Sequence, residues 1–280
     1  MPEEIVNFSV HKFTGAGNDF VLIDDRENRF SDDWYATITP LLCNRFHGIG
    51  GDGLMVLRSS DRFDFRMHYL NSDGSLAGMC GNGARCLSEF FFLLTGTDRA
   101  RFETRSGEYF AERKGTAQVA LSLIKPFDFA DVPGQDSETC YVNTGTQHLV
   151  VKVSGLDEIP VETDGRKLRY SEFAHSKGGS NVNFIEITGP GSLRIRTYEK
   201  GVEGETLACG TGTVAAAFAA FRKGWIAQPI VQVTVKSGSL LTVYLQDRPI
   251  LEGPADYLFS SHLSLQKNSK GDLSFLHRLP

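Results

Sequence analysis

The chain has 280 residues, 41% hydrophobic and 22% charged, which is the composition of an ordinary globular protein with length enough for about two domains. Its net charge is −5 and its basic residues are scattered, so it lacks the electrostatic footprint of a nucleic-acid binder. No basic segment leads from Met1 into an apolar stretch, and the longest apolar run, Phe90 to Leu94, is far too short to span a bilayer; a cytoplasmic chain with no membrane partner is expected.

Taken in order, the chain shows Gly-rich turns leading into apolar strands, and then shows them again about 130 residues later. Thr14-Gly15-x-x-Asn18 recurs as Thr144-Gly145-x-x-His148, and Gly51-Asp52-Gly53 recurs as Gly179-Ser180-Asn181. Cys80-Gly81-Asn82-Gly83 recurs as Cys209-Gly210-Thr211-Gly212, and Ser106-Gly107 as Ser237-Gly238. Any one match is weak, because such turns are common. Four landmarks in the same order and spacing point to an internal duplication.

Each Cys-Gly-x-Gly is followed by a segment that reads as a helix, Ala84 to Leu94 in the first half and the alanine-rich Thr213 to Arg222 in the second. Apolar residues surround both segments on nearly all sides, which marks buried helices. Alternating strands such as Val231 to Val235 and Leu240 to Leu245 complete each half. The expected fold class is α+β, with two pseudo-symmetric lobes, each a strand-rich sheet wrapped round a central buried helix and an active site in the cleft between them. Lys125-Pro126 and Asp131-Val132-Pro133-Gly134 break the strand pattern at the junction. The expected division is an N-terminal lobe of residues 1–126, a C-terminal lobe of 127–262 and a polar tail of 263–280.

Five cysteines, Cys43, Cys80, Cys86, Cys140 and Cys209, are an odd count in a chain too long to need disulfide staples. Cys80 and Cys86 would stand about 240° apart round a helix and no Cys-x-x-Cys occurs, so no metal site is expected. Cys43, Cys86 and Cys140 read as small buried hydrophobes. Cys80 and Cys209 differ, because each precedes a helix start whose unpaired N–H groups bind anions and lower the pKa of a neighbouring thiol. If the lobes face each other, a carboxylate held by both helix ends puts its α-carbon between two thiols. One thiolate can then remove the α-proton while the opposite thiol returns one to the other face. This scheme needs neither metal nor pyridoxal phosphate, and no cofactor motif is present.

The same motifs resemble the diaminopimelate epimerase family over roughly residues 8 to 258. They are Lys12-Phe-Thr-Gly-Ala-Gly-Asn18, Gly48-Ile-Gly-Gly-Asp-Gly-Leu54, Asn71-Ser-Asp-Gly-Ser75, Cys80-Gly-Asn-Gly-Ala-Arg-Cys86, Asn181-Val-Asn-Phe184, Tyr198-Glu-Lys-Gly201 and Glu205-Thr-Leu-Ala-Cys209. The resemblance implies a cofactor-independent epimerase converting LL- to meso-diaminopimelate in lysine and peptidoglycan precursor synthesis, acting as a homodimer. It implies Cys80 and Cys209 as the acid/base pair and backbone N–H groups of Gly81, Asn82, Gly210 and Thr211 as the carboxylate cradle. Asn18, Asn71 and Asn181 would hold the substrate, while His148 and Glu199 would support the cysteines and bind the reacting amine. Lys200 stands where the family usually has arginine, so a distal carboxylate would meet a point charge instead of a bidentate fork. Thr146-Gln147 replaces the common Asn-Pro before His148.

Three rival readings carry different chemistry. A two-cysteine racemase of proline or hydroxyproline shares the cleft logic without most of the motifs round Asn18 and Asn71. A phenazine-biosynthesis-like isomerase or carboxylate-binding module would not need the paired cysteines. A dithiol oxidoreductase usually carries Cys-x-x-Cys.

Overall fold

The computed structural model describes residues 4–267 and 273–276. The chain divides into two compact units, one formed by residues 1–117 and 255–280 and the other by residues 118–254.

The first unit opens with β1 (Glu4–Gly15) and β2 (Asn18–Asp25), an antiparallel hairpin, followed by α1 (Asp32–Cys43). The hydroxyl of Ser31 caps α1 by accepting from the Trp34 N–H. β3 (Gly53–Arg58) returns parallel to β2, and β4 (Phe65–Asn71) runs antiparallel to β3. The short β5 (Leu76–Ala77) leads to α2 (Gly81–Thr95), and β6 (Arg99–Thr104) and β7 (Gly107–Gly115) extend the sheet beyond β4.

The middle of this sheet is buried on both faces, and β3 accordingly has no exposed residue. Val21, Ile23, Leu54 and Val56 pack on one face with Tyr35, Ile38 and Leu42 of α1. Phe20 and Met55, which alternate with them, lie against Gly83 of α2 on the other. A Cβ at Gly83 would stand 1.8 Å from the Met55 Cε, so glycine lets the helix start approach the sheet. The outer helix α1 has no counterpart in the elements read from the sequence.

The second unit repeats this plan. β8 (Gln118–Ser122) and β9 (Phe127–Asp131) precede the hairpin of β10 (Thr139–Asn143) and β11 (Gln147–Lys152). A 3₁₀ turn (Leu156–Glu158), α3 (Val161–Arg169) and α4 (Glu172–Ser176) fill the place of α1. β12 (Asn181–Gly189) is parallel to β11, and β13 (Ser192–Glu199) antiparallel to β12. Then come β14 (Gly204–Thr206), α5 (Gly210–Arg222), β15 (Ile230–Thr234), parallel to β13, and β16 (Leu240–Tyr244). β17 (Ile250–Pro254) pairs with both β16 and β8. From β10 to β16 pairing type and order thus match β1 to β7 strand for strand, as the duplication requires, and β17 and β8 are added beyond β16.

The last strands depart from the expected boundaries. β18 (Asp256–Lys267) pairs antiparallel with β1 along nearly its whole length, and β19 (Leu273–Phe275) pairs with β18. In the second unit β9 holds the equivalent place beside β10. The chain therefore crosses between units at 117/118 and again at 254/255, instead of once at 126/127. Residues 263–267 and 273–275, read as polar tail, are strand, and Leu265 is fully buried among Phe8, Val10 and Val21. Polar outward positions on β18 hide its pairing, which is a long-range property. Residues 268–272 and 277–280 of that tail lie outside the described residues.

Candidate active site

The two cysteine elements have the same local form. Cys80 is the N-cap of α2 with φ −136° and ψ 118°, and Cys209 is the N-cap of α5 with φ −128° and ψ 110°. Both are extended, and each cap carbonyl accepts the first helical N–H, from Ala84 and Thr213 respectively, at 2.8 and 2.9 Å. Helix geometry leaves the N–H groups of Gly81 and Asn82, and of Gly210 and Thr211, outside the hydrogen-bond ladder and available to an anion. All five cysteines are free thiols. Cys43, Cys86 and Cys140 are buried with their thiols pushed up to about 12 by desolvation, which suits packing and not chemistry.

The polar support round each cysteine differs. In the first unit the Gly83 N–H donates to the Cys80 sulfur at 3.4 Å. The side chain of Asn82, nearly fully buried, donates to Asn18 Oδ1 at 2.6 Å and accepts from the buried Arg85 at 2.8 Å. Asn18 in turn donates to Asp52 at 2.8 Å. Asp52 and Asp19 share Arg45, and Lys12 binds Asp19 at 2.6 Å and also the Gly50 carbonyl. Burial works to raise the Asp19 carboxyl, but hydrogen bonds from Arg45 and Lys12 hold it below the usual carboxylate range. Asn71, exposed at the end of β4 and paired across the sheet with Gly53, has its amide on Ser75 Oγ at 3.0 Å.

In the second unit the support is neutral. His148 is fully buried, and its Nδ1 lies 3.1 Å from Asn183 Nδ2. Asn183 also donates from Nδ2 to the Leu149 carbonyl at 2.9 Å, while its Oδ1 accepts from Thr197 at 3.0 Å. A carbonyl can only accept, so the amide orientation is fixed and His148 Nδ1 must be an acceptor. The proton then sits on Nε2, which lies 3.1 Å from Thr146 Oγ1. Desolvation, reinforced by the Lys200 charge, drops the imidazole to about 3, so it is neutral. Thr146 donates to Thr211 Oγ1 at 3.2 Å, and that hydroxyl lies 3.5 Å from the Cys209 sulfur. Gly212 is required beside it, since a Cβ there would come within 2.4 Å of Asn183 Oδ1 and 3.3 Å of the Cys209 sulfur.

Glu199 ends β13, and desolvation raises its carboxyl despite a Thr206 contact that works the other way. Among the described residues no cation pairs with it. Asn181 faces His148 across the β11–β12 pair, with Oδ1 accepting the Lys200 backbone N–H at 2.8 Å and Nδ2 reaching the Gln147 carbonyl at 3.4 Å. Lys200 stands in the turn after β13. Its ammonium meets Gln147 Oε1 at 2.9 Å and the Gly178 and Gly179 carbonyls at 3.3 Å each, so all three protons are committed to protein acceptors.

Within the first unit the structure therefore links Asn18, Asn82 and the Cys80 helix start, and places Asn71 at the end of β4, bonded to Ser75. Within the second it links His148 to Cys209 through Thr146 and Thr211, and ties Asn181 to Lys200. Asn183 and Thr197 were absent from the sequence-derived set. A signal existed for Asn183, since a strand beginning at Asn181 places residue 183 on the same face. Asp52 and Arg45 were likewise missed, although Asp52 lies inside one of the motifs.

The fold is shared with proteins of known structure. It superposes on a phenazine biosynthesis protein of the PhzF family from Bacillus anthracis with a TM-score of 0.70 at 14% identity, covering 92% of this chain and 99% of that one. It also superposes on a hydroxyproline epimerase from Agrobacterium vitis, solved with bound trans-4-OH-L-proline, with a TM-score of 0.65 at 15% identity over 95% and 94% of the two chains. The sequence is more decisive. The diaminopimelate epimerase family profile matches residues 10–122 and 140–257. A diaminopimelate epimerase of Chlorobaculum tepidum is 43% identical, over 90% of this chain and 100% of the relative, and one of a Hydrogenobaculum species is 37% identical over 92% and 99%. The chain belongs to the diaminopimelate epimerase family and is an isomerase of the amino-acid epimerase class.

Proposed function

We propose that the protein inverts one α-carbon of diaminopimelate, LL to meso, in lysine and peptidoglycan precursor synthesis, with Cys80 and Cys209 as the acid/base pair. The observation that carries this reading is the repetition of one element: a cysteine N-cap, extended, ahead of a buried helix whose first N–H groups stand outside the helical ladder. In one direction a thiolate takes the α-proton. The carbanion's charge spreads onto the substrate carboxylate, where the N–H groups of Gly81, Asn82, Gly210 and Thr211 stabilise it, and the second thiol delivers a proton to the opposite face. The scheme requires both helix starts to meet one substrate and draws on no cofactor.

Glu199 is the group for the reacting amine, because a half-buried, desolvated carboxylate with no cation beside it among the described residues gains most from a ligand's ammonium. Asn18 and Asn71 retain amide capacity for substrate polar groups. With its protons committed, Lys200 holds the loop of Gly178 and Gly179 that leads into Asn181 and serves recognition through that loop. A cytoplasmic homodimer is the accompanying proposal; no helix among the described residues is long and apolar enough to cross a membrane.

Solvent deuterium tests the reading. In D2O the enzyme should build label into one α-carbon of LL-diaminopimelate while forming the meso isomer, and absence of both would sink the assignment. Cys80→Ala and Cys209→Ala should each lower turnover by about 10²–10⁴-fold, and a variant at near-normal rate would remove that cysteine from the mechanism. Exchange into proline instead would move the substrate and keep the chemistry.

A further inference from the structure

We propose that the hydroxyls of Thr146 and Thr211 are positioning groups that carry a one-way hydrogen-bond chain from His148 to Cys209 and favour its thiolate. The inference rests on the reading of Cys209 as one of the acid/base pair.

The direction of the chain follows from donor counting. The Leu149 carbonyl and the Thr197 hydroxyl fix the Asn183 amide, and the amide fixes His148 as the Nε2–H tautomer. That N–H has Thr146 Oγ1 as its acceptor at 3.1 Å. A hydroxyl has one proton, so Thr146, accepting from His148, directs its own to Thr211 at 3.2 Å. Thr211, accepting from Thr146, directs its own to the Cys209 sulfur at 3.5 Å. A sulfur that receives a hydrogen bond is favoured as thiolate, and donors in series polarise one another.

The chain stays in place while the reaction turns over. The Thr211 carbonyl accepts from Thr144 at 3.2 Å, and His148 and Asn183 are fully buried. No proton moves along it: each group keeps its own, and only the sulfur gains or loses one, to and from the α-carbon. The Cys80 sulfur has a backbone N–H from Gly83 in the corresponding place. The two thiols are thereby distinguished, although their motifs are nearly the same.

The experiment maps the rate of carboxamidomethylation of each cysteine by iodoacetamide against pH, by peptide mass spectrometry, alongside steady-state turnover of the full chain. Thr146→Val should raise the midpoint for Cys209 by about one pH unit while leaving that for Cys80 unchanged, and lower kcat about 10-fold with KM little altered. Thr146→Ser, which keeps the hydroxyl, should restore both. Thr211→Val breaks the last link and should give the same shift, so the proposal does not depend on one variant folding; the unchanged Cys80 midpoint certifies an intact protein. If both valine variants keep the wild-type Cys209 midpoint, the chain does not act on the sulfur. Cys209→Ala separates the two ideas: retained turnover there overturns the role of Cys209 itself, whereas lost turnover with normal valine variants overturns the chain alone.

Discussion

The two units place a cysteine at the same point of the same helix start and surround it in opposite ways. Round Cys80 the support is a lattice of charges, Lys12, Asp19, Arg45 and Asp52, joined to the helix through Asn18 and Asn82. Round Cys209 it is a row of neutral donors, buried and strand-borne, from Asn183 through His148 to two threonines. Duplication fixed the backbone of the element, and divergence chose the partners. An enzyme that handles two faces of one carbon gains from this, since two thiols in identical surroundings would not differ in their tendency to ionise.

The comparison is broken most severely by removing the strand that only one unit borrows. A chain ending at residue 255 loses β18 and with it the cover over Phe8 and Val10, while the second unit keeps β9 from its own sequence. Loss of one such buried side chain costs about 1.5–3 kcal/mol, and several go at once. The first unit should unfold, seen as rapid limited proteolysis within residues 4–117, with residues 118–254 resistant; equal resistance of both would show that β18 is dispensable.

Adding one methyl group at equivalent glycines should sharpen the contrast. Gly83→Ala meets the tip of Met55, a flexible side chain that can yield, so about 1–2 kcal/mol of stability should be lost with modest change in turnover. Gly212→Ala meets Oδ1 of the Asn183 amide, whose Nδ2 fixes the histidine tautomer, so turnover should fall more than stability. Thermal melts with parallel rates check this, and the reverse order would contradict the assignment of fixed and yielding partners.

Acid should separate the units more gently. His148 is held near 3 in the folded protein against an ordinary 6.5, so the unfolded chain takes up that proton first. Its contribution is therefore complete above about pH 6.5 and is lost as pH falls toward 3, on the order of 1 kcal/mol per pH unit. Asp19, with its carboxyl below the ordinary 3.8, keeps its contribution until the more acidic range. Denaturant midpoints between pH 7 and 4 should decline in the native protein and decline less in His148→Gln. Equal slopes would mean that the histidine is not buried as neutral imidazole.

The recurrence of Cys80-Gly-Asn-Gly as Cys209-Gly-Thr-Gly was legible in the sequence, as were the buried helices after each and the resemblance carried by the motifs. These are short-range features: a turn, a cap and an apolar helix are decided by a dozen neighbouring residues. Asn18 entered through the resemblance, whose motif from Lys12 to Asn18 is just as local. The outer helix α1 was not legible, because Asp32–Cys43 mixes polar and apolar residues and encloses Pro40, and only the sheet face it covers gives it a stable place.

What the sequence determined by itself, then, is the repeated chemical element and the class of reaction it suits, because both reside in local backbone and residue type. Tertiary structure decided the rest. It took β18 back to β1 across the whole length of the chain, spent the Lys200 protons on Gln147 and two carbonyls, and lined up Thr146 and Thr211 between His148 and Cys209. Each of these depends on which strands pair and in what register, and hydrogen-bond direction in a buried network is set by its most remote fixed acceptor, here the Leu149 carbonyl.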